Sequence, residues 1–194
     1  TAEQGAIQLR DSADLHETPL IGGEEGIPTF AEVLELVAGR VPLLVELKDQ
    51  HGQMGPTDGR LERAVADDLK GYQGPLALMS FNPNSIITLA DLAPDVPRGI
   101  VTSTYAKTNK NWQLLRPETR DRLRDIPDYD VAQASFISHQ VDDLANPRVA
   151  ELKAKGAVIL CWTVRSVEQE HEARQVADNI TFEGYQAEIP PEPR

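Results

Sequence analysis

A glutamate and a lysine stand two residues apart at the end of an apolar segment, residues 43–48, which reads Leu-Leu-Val-Glu-Leu-Lys. Because side chains alternate along a β-strand, Glu46 and Lys48 are predicted to share one face, with the apolar residues on the other. The two side chains would lie about 6.6 Å apart along the strand at ~3.3 Å per residue. This spacing suits a cation and a phosphate held side by side, because a buried carboxylate needs a partner or a metal. A plain ion pair at a strand end fits the spacing equally well.

Lys48 also leaves two other functions open. A lysine at a strand end could form a Schiff base with a carbonyl compound, as in a lyase. A neighbouring carboxylate makes Lys48 poorly suited to that role, because it stabilises the charged ammonium over the nucleophilic amine. The third interpretation is a module that binds a ligand or a partner without catalysis.

Polar or aromatic groups also follow the other short apolar segments of the chain. Groups of this kind gather at the carboxyl ends of the strands in a (β/α)₈ barrel, and a doubly wound sheet collects ligands at the same ends. No Gly-x-Gly-x-x-Gly or Walker-type loop follows any of these segments, which disfavours a nucleotide-binding sheet. The groups are Ser80 and Phe81; Thr102 and Ser103; Ser138 and His139; Trp162 and Thr163; and Thr181 and Glu183.

The four histidines and the single cysteine give no catalytic or metal-binding pattern. His16 and His171 lie in polar segments typical of the surface, and no pair of histidines has metal-ligand spacing. His51 and His139 could each face a site or be loop histidines with partners of their own. No nucleophile elbow accompanies them. Cys161 lies within an apolar segment and is predicted to belong to the core.

Helical and extended patterns alternate six times along the chain, which is the pattern of an α/β fold. Capping residues, prolines at first turns and terminal glycines delimit the helices, and short apolar runs indicate strands buried on both faces. The helices are predicted near residues 29–39, 61–71, 82–92, 112–124, 146–156 and 166–176, and the strands at 41–47, 75–81, 99–102, 131–137, 157–164 and 179–182.

Six strands are two too few for a (β/α)₈ barrel. Two further units of roughly 30 residues would bring the 194 residues to about 250, the usual barrel size. We therefore expect residues 1–187 to form a partial barrel that lacks its first two strands, followed by a proline-rich tail at 188–194. The open edges at 41–48 and 179–182 would tend to pair with another chain, so a homo-oligomer is a further expectation.

Composition excludes several classes of partner. The net charge of −12 disfavours nucleic acid and anionic membrane surfaces. No segment approaches the ~20 apolar residues of a membrane helix. A single cysteine excludes an internal disulfide framework. The first residues show no signal-peptide pattern, and the expected location is the cytoplasm.

Five segments, in chain order, resemble motifs of the glycerophosphodiester phosphodiesterases. Each motif is weak alone, but their order from about residue 27 to residue 185 makes the resemblance specific. They are Ile-Pro-Thr-Phe at 27–30 before Glu-Val-Leu at 32–34, the Glu-x-Lys that ends 41–48, Ser-Phe-Asn-Pro at 80–83, Trp-Thr-Val at 162–164 and Asp-Asn-Ile-Thr at 178–181.

The resemblance implies a (β/α)₈ TIM barrel of the phospholipase-C-like phosphodiesterase type. Its reaction would be hydrolysis of a small-molecule glycerophosphodiester to an alcohol and sn-glycerol 3-phosphate. The family's divalent cation, Ca²⁺ or Mg²⁺, would be bound by Glu46, and the phosphate by Lys48. The resemblance also implies that the substrate is contacted by Ser80, Phe81 and Trp162, and Glu183 is a further candidate although the last strand departs from the family's Thr-Asp pattern.

The family's catalytic histidine pair and its two acidic metal ligands belong to an N-terminal segment whose motifs do not occur in these residues. The first residues, from Thr1 to Glu3, resemble the stretch that follows this segment, so the resemblance places the histidine pair upstream of Thr1. It therefore implies no catalytic residue within this chain, which would be the C-terminal portion of an enzyme. We expect the 194 residues alone not to turn over glycerophosphodiesters.

Overall fold

The computed structural model describes residues 1, 3, 5 and 7–189. Within them, six parallel strands form one sheet in which the order along the chain is also the order in space. The first and the last strand are the two edges of this sheet. The strands are β1 (Leu43–Leu47), β2 (Leu76–Ser80), β3 (Arg98–Thr102), β4 (Phe136–Gln140), β5 (Val158–Val164) and β6 (Asn179–Phe182).

Seven α-helices accompany the strands in the residues that the structure describes, and local signals explain where several begin. Thr29 and Glu32 form a complete capping box at the second helix. The side chains of Asn82 and Asn146 each accept a backbone N–H ahead of a proline in the first turn. The helices are α1 (Ser12–Glu17), α2 (Phe30–Val37), α3 (Arg60–Asp68), α4 (Pro83–Leu92), α5 (Pro117–Arg124), α6 (Pro147–Ala154) and α7 (Val167–Ala173).

Two predicted elements differ from the structure. The helix predicted at 112–124 begins only at Pro117, because proline fits a first turn but not a helix interior; Trp112 instead ends a short 3₁₀ turn. The strand predicted at 131–137 begins only at Phe136. Residues 128–134 form turns closed by Ala132 N–H to the Asp128 carbonyl (2.8 Å), with Gln133 in a left-handed conformation.

The two faces of the sheet bury different cores. On the outward face, Leu47, Leu78 and Ile100 pack with residues of α3 and α4. On the inward face, Met79, Val101 and Phe136 pack together. A Cβ atom on Gly99 would lie 2.3 Å from the Phe136 ring, so only glycine leaves room for this ring inside the curve of the sheet.

The C-terminal half of the sheet has its own outward core, which includes Ile137, Ile159 and the free thiol of Cys161. Tyr185 packs against the same cluster, and Glu188 N–H reaches the buried carboxylate of Glu170. The predicted tail at 188–194 lies outside the described residues from residue 190 onward. Among the residues described, no helix has the length and apolar character needed to cross a membrane.

Candidate active site

A cavity of about 410 Å³ opens at the carboxyl ends of the strands, and every one of the six strands or the residue following it contributes to its wall. A flat six-stranded sheet could not surround one small cavity from end to end. The sheet is therefore curled, and its inward face forms the inside of a half-barrel. The lining residues are Glu46, Lys48, Met79, Phe81, Val101, Asn111, Trp112, Ser138, Trp162, Thr163 and Thr181.

Glu46 and Lys48 form the charged side of the cavity. Both side chains lie on the inward face, as their alternation in the sequence predicts, and Lys48 Nζ lies 2.7 Å from Glu46 Oε1. The Lys48 side chain is 74% exposed, whereas that of Glu46 is 22% exposed. The pair is thus open to solvent on the lysine side, where the ammonium can bind a second anionic partner.

Three aromatic rings form the wall next to this pair. The Phe81 ring lies 5.1 Å from that of Trp112 and 5.4 Å from that of Trp162, the latter edge to face. Both indole N–H groups are used within the protein, Trp112 toward Ser103 Oγ and Trp162 toward the Ser138 carbonyl. A ligand therefore meets aromatic carbon on this wall.

Trp112 is a lining residue that sequence reasoning missed. It lies in a charge-rich stretch between β3 and α5, and the sequence predicts it at the start of a polar helix. The residue is nevertheless only 5% exposed, and its ring packs on Tyr105 as well as on Phe81. A large apolar ring in an otherwise polar stretch was the available signal, although its distant partner could not be inferred.

Hydroxyl groups form the far side of the cavity. Ser138, Thr163 and Thr181 lie on β4, β5 and β6, at the opposite end of the sheet from the charged pair. The cavity therefore has a charged side, an aromatic and apolar middle and a hydroxyl-bearing side.

Ser80, a predicted substrate-binding residue, is not among the residues that line this cavity. It is fully buried on the outward face, donates a hydrogen bond to the Leu47 carbonyl (2.7 Å) and accepts one from Asn82 N–H. The Asn82 amide in turn donates to Asp49 Oδ1 and to the Gly55 carbonyl, both at 2.8 Å. In this structure Ser80 helps to fix the loop that follows Lys48, while its neighbour Phe81 lines the cavity.

Glu183 also lies outside the cavity lining. Its carboxylate pairs with Arg165 at 2.7 Å, and both side chains are more than half exposed. Thr181, two residues earlier on the same strand, contributes to the cavity instead. The structure thus brings Glu46, Lys48, Phe81 and Trp162 together and leaves Ser80 and Glu183 apart from them.

His139 points away from the cavity. It is fully buried, with Nδ1 2.7 Å from Thr102 Oγ1 and Nε2 3.0 Å from Asp143 Oδ2. A neutral ring with its proton on Nε2 donates to Asp143 and accepts from Thr102, so both nitrogens are satisfied. Burial lowers the pKa of His139, an effect that Asp143 partly offsets. The geometry makes His139 a structural link between β3, β4 and the turn after β4.

The resemblance places the histidine pair upstream of Thr1. Thr1 itself is not part of the site. It is exposed, it does not line the cavity, and its hydroxyl donates to the Glu3 carbonyl at 2.7 Å. These residues do not test where the histidine pair lies, so its position upstream of Thr1 stays a prediction.

The described residues do not form a metal centre by themselves. They contain no group of three or more His, Cys, Asp or Glu side chains placed to hold a metal ion. Glu46 is the one carboxylate among the residues lining the cavity, and one of its oxygens already accepts from Lys48. Divalent cations such as Ca²⁺ and Mg²⁺ take six or more oxygen ligands, so Glu46 could supply one ligand only.

A curled parallel sheet with a charged and aromatic cavity at the carboxyl ends of its strands defines the class: a partial (β/α) barrel with an enzyme-like site. The model of the glycerophosphoryl diester phosphodiesterase family matches residues 5–178. The chain therefore belongs to the glycerophosphoryl diester phosphodiesterase family. No curated protein matches it.

Solved structures agree on the fold. A phosphodiesterase from Oleispira antarctica, in complex with the product sn-glycerol-3-phosphate, is 21% identical, with a TM-score of 0.65 over 93% of this chain and 70% of its own. A candidate glycerophosphoryl diester phosphodiesterase from Agrobacterium tumefaciens is 20% identical, with a TM-score of 0.69 over 92% and 69%.

A third structure, a glycerophosphodiester phosphodiesterase from Parabacteroides distasonis, is 17% identical, with a TM-score of 0.62 over 89% of this chain and 66% of its own. The chain thus spans 66–70% of the length of these three proteins.

Proposed function

We propose that the protein takes part in the hydrolysis of glycerophosphodiesters to an alcohol and sn-glycerol 3-phosphate. The observation that carries this proposal is the family match over residues 5–178, combined with a cavity that holds the Glu46–Lys48 pair at the end of β1. The product bound to the Oleispira antarctica relative supports the same product here. The family match also favours a hydrolase over the Schiff-base lyase that Lys48 alone leaves open.

In this proposal Lys48 binds a phosphate oxygen, because its ammonium is the exposed end of the pair. The chain carries a net charge of −12, so a local cation is required to attract an anionic diester. Phe81, Trp112 and Trp162 would contact the carbon skeleton of the ligand and exclude water from it.

Hydrolysis requires that water attack phosphorus, that the bond from phosphorus to the alcohol oxygen break, and that this oxygen gain a proton. A general base and a general acid must serve the two oxygens. No histidine lines the cavity within the part of the chain that the structure describes, and His139 is held on the other face. We therefore assign both proton-transfer groups to residues outside these 194, upstream of Thr1.

We also propose that Glu46 is one ligand of a divalent cation, Ca²⁺ or Mg²⁺, whose remaining ligands come from outside these residues. A bound cation would neutralise charge on the phosphate. The described residues supply too few oxygens for such a site on their own, which supports a shared rather than a self-contained centre.

The proposed complete enzyme is a (β/α)₈ barrel to which this chain contributes six strands. Leu44 on β1 and Phe182 on β6 are 41% and 46% exposed, so both edges of the sheet present apolar surface. Unpaired strand edges of this kind pair readily with another chain. We propose that the isolated chain self-associates through them, and size-exclusion chromatography with light scattering would give a monomer if this is wrong.

The main experiment measures release of sn-glycerol 3-phosphate from glycerophosphocholine with Ca²⁺ or Mg²⁺. The full-length natural protein is expected to release it in a metal-dependent way, and the 194-residue chain is not. A full-length protein without this activity would contradict the proposed reaction. A 194-residue chain as active as the full-length protein would contradict the proposed division of the site.

A further inference from the structure

The hydroxyl of Ser138 is a buried polar group without a partner. Ser138 is fully buried in the middle of β4, and its Oγ has no hydrogen bond. The residue also lines the cavity at the carboxyl ends of the strands. Buried polar side chains are nearly always hydrogen-bonded in native proteins, so this exception requires an explanation.

The residues around Ser138 on the inward face provide no hydrogen-bond partner for its hydroxyl. Its register neighbours are Val101 on β3 and Leu160 on β5, neither of which has a polar side-chain atom. Two residues further along β4, Gln140 Oε1 already accepts from Ser103 Oγ at 2.6 Å. The carbonyl of Ser138 accepts from the Trp162 indole, so the fold uses the backbone of this residue and leaves its hydroxyl free.

Ser80 shows what a structural serine looks like at a comparable place in the same sheet. It is also fully buried and close to the carboxyl end of its strand, but its hydroxyl donates to the Leu47 carbonyl and accepts from Asn82 N–H. The difference follows from the face: Ser80 is turned outward and Ser138 inward. Only the inward hydroxyl is without a partner.

The position of Ser138 indicates which part of a ligand it meets. Lys48 extends from the end of β1, and β4 lies three strands away, about 14 Å along the sheet at ~4.8 Å per strand. A phosphate bound by Lys48 would therefore leave Ser138 facing the far end of the ligand. Between the two lie Phe81 and Val101, which suit a carbon chain.

We propose that the Ser138 hydroxyl binds a free hydroxyl of the glycerol part of the substrate, an inference that rests on the function proposed above. The glycerol hydroxyls are the ones that every glycerophosphodiester shares, whatever its second alcohol. Rotation about χ1 turns Oγ between staggered positions without moving the backbone, so the buried hydroxyl can reach a ligand in the cavity. Ser138 is then a specificity-determining residue for hydroxylated phosphate esters.

Binding can be followed in the 194-residue chain without any turnover. Its two tryptophans, Trp112 and Trp162, both line the cavity, so intrinsic fluorescence reports ligand bound there. The probes are sn-glycerol 3-phosphate and propyl phosphate, which share the phosphate and the three-carbon chain but differ in the hydroxyls. The wild-type chain is expected to prefer glycerol 3-phosphate by roughly three- to tenfold, the effect of one hydrogen bond.

Ser138→Ala is expected to abolish this preference while its affinity for propyl phosphate stays that of the wild type. It should also leave the thermal midpoint unchanged or raise it, because it removes an unsatisfied buried hydroxyl. Ser80→Ala is the matched control: it should lower the midpoint, because it removes two hydrogen bonds, and keep the wild-type preference.

Three results would overturn the assignment. The first is a Ser138→Ala chain that keeps the wild-type preference, and the second is a wild-type chain with no preference although it binds both esters; both leave the proposed reaction intact. The third is a wild-type chain that binds neither ester, which would also count against the proposed role of Lys48 in binding phosphate.

Discussion

The two faces of the sheet carry similar polar residues at the same strand ends, yet they use them differently. On the outward face, Ser80 and His139 are fully buried and hydrogen-bonded to the protein. On the inward face, Lys48 is largely exposed and the hydroxyl of Ser138 has no partner. Since a strand alternates its faces residue by residue, one step along the chain separates a structural group from a group available to a ligand.

The comparison predicts that inward substitutions change function with little change in stability, whereas outward substitutions do the reverse. The largest effect is expected for Glu46→Gln in the full-length protein. Loss of the proposed metal ligand should lower the metal-dependent rate by roughly a hundredfold or more, because even the loss of an outer-shell partner of a metal ligand costs about 10–100-fold. Product release and metal affinity measure this directly.

The control for Glu46 is Glu151→Gln. Glu151 is a surface carboxylate on α6 that also pairs with a lysine, Lys155, at 2.8 Å. Its substitution should leave the rate unchanged, and both variants should keep the wild-type thermal midpoint. Unaltered metal affinity in Glu46→Gln would show that Glu46 is only the partner of Lys48.

The next effect in size concerns Lys48→Met. If Lys48 binds a phosphate oxygen, its loss should weaken diester binding by about 1–3 kcal/mol, the range of a charge-assisted hydrogen bond. Because the Lys48 side chain is mostly exposed, the thermal midpoint should barely change. Unchanged kinetics with glycerophosphocholine in this variant would make Lys48 structural.

A smaller effect, on stability, is expected from the outward face. Burial lowers the pKa of His139 in the folded chain, so below pH 6.5 the unfolded state binds the proton more readily. The free energy of unfolding should therefore have its full value above about pH 7.5 and should fall as the pH drops through 6.5. The loss is at most about 1.4 kcal/mol at pH 5.5, one pH unit below the ordinary value.

Urea unfolding between pH 5.5 and 7.5 measures this loss. The comparison variant is His139→Asn, which is less stable throughout but lacks this titrating group. Its free energy of unfolding should change less with pH than that of the wild type. Equal slopes in the two proteins would mean that His139 is not the group responsible.

The smallest effect is expected for Glu183→Gln. Glu183 lies outside the cavity lining and pairs with Arg165 at the surface, where ion pairs contribute little. The rate with glycerophosphocholine should change less than about twofold. A tenfold loss of rate would instead show that Glu183 belongs to the substrate site, as its position near the last strand suggests.

Much of this arrangement could be predicted from local patterns. Alternation placed Glu46 and Lys48 on one face, and capping residues marked the starts of α2 and α4, because these signals depend on neighbours along the chain. The six parallel strands follow from the alternation of helix and strand patterns.

What the sequence could not supply depends on contacts between distant segments. Trp112 reaches the cavity from a loop by packing on Phe81, thirty-one positions away in the sequence, and no periodicity encodes that contact. The apolar run at 131–137 predicts a strand, but residues 128–134 form turns instead and the strand begins only at Phe136. Ser80 and Phe81 form one motif, although the pleat of the strand sends their side chains to opposite faces.

The free thiol of Cys161 gives this fold a built-in reporter of its own opening. The residue is fully buried in β5, and burial raises the pKa of its thiol to about 11. Folded molecules therefore present almost no thiolate to an alkylating reagent at neutral pH, and labelling must proceed through molecules in which the outward core over β5, which includes residues of α6 and α7, has opened. Because the chain has one cysteine, the rate of its modification measures how often this core opens.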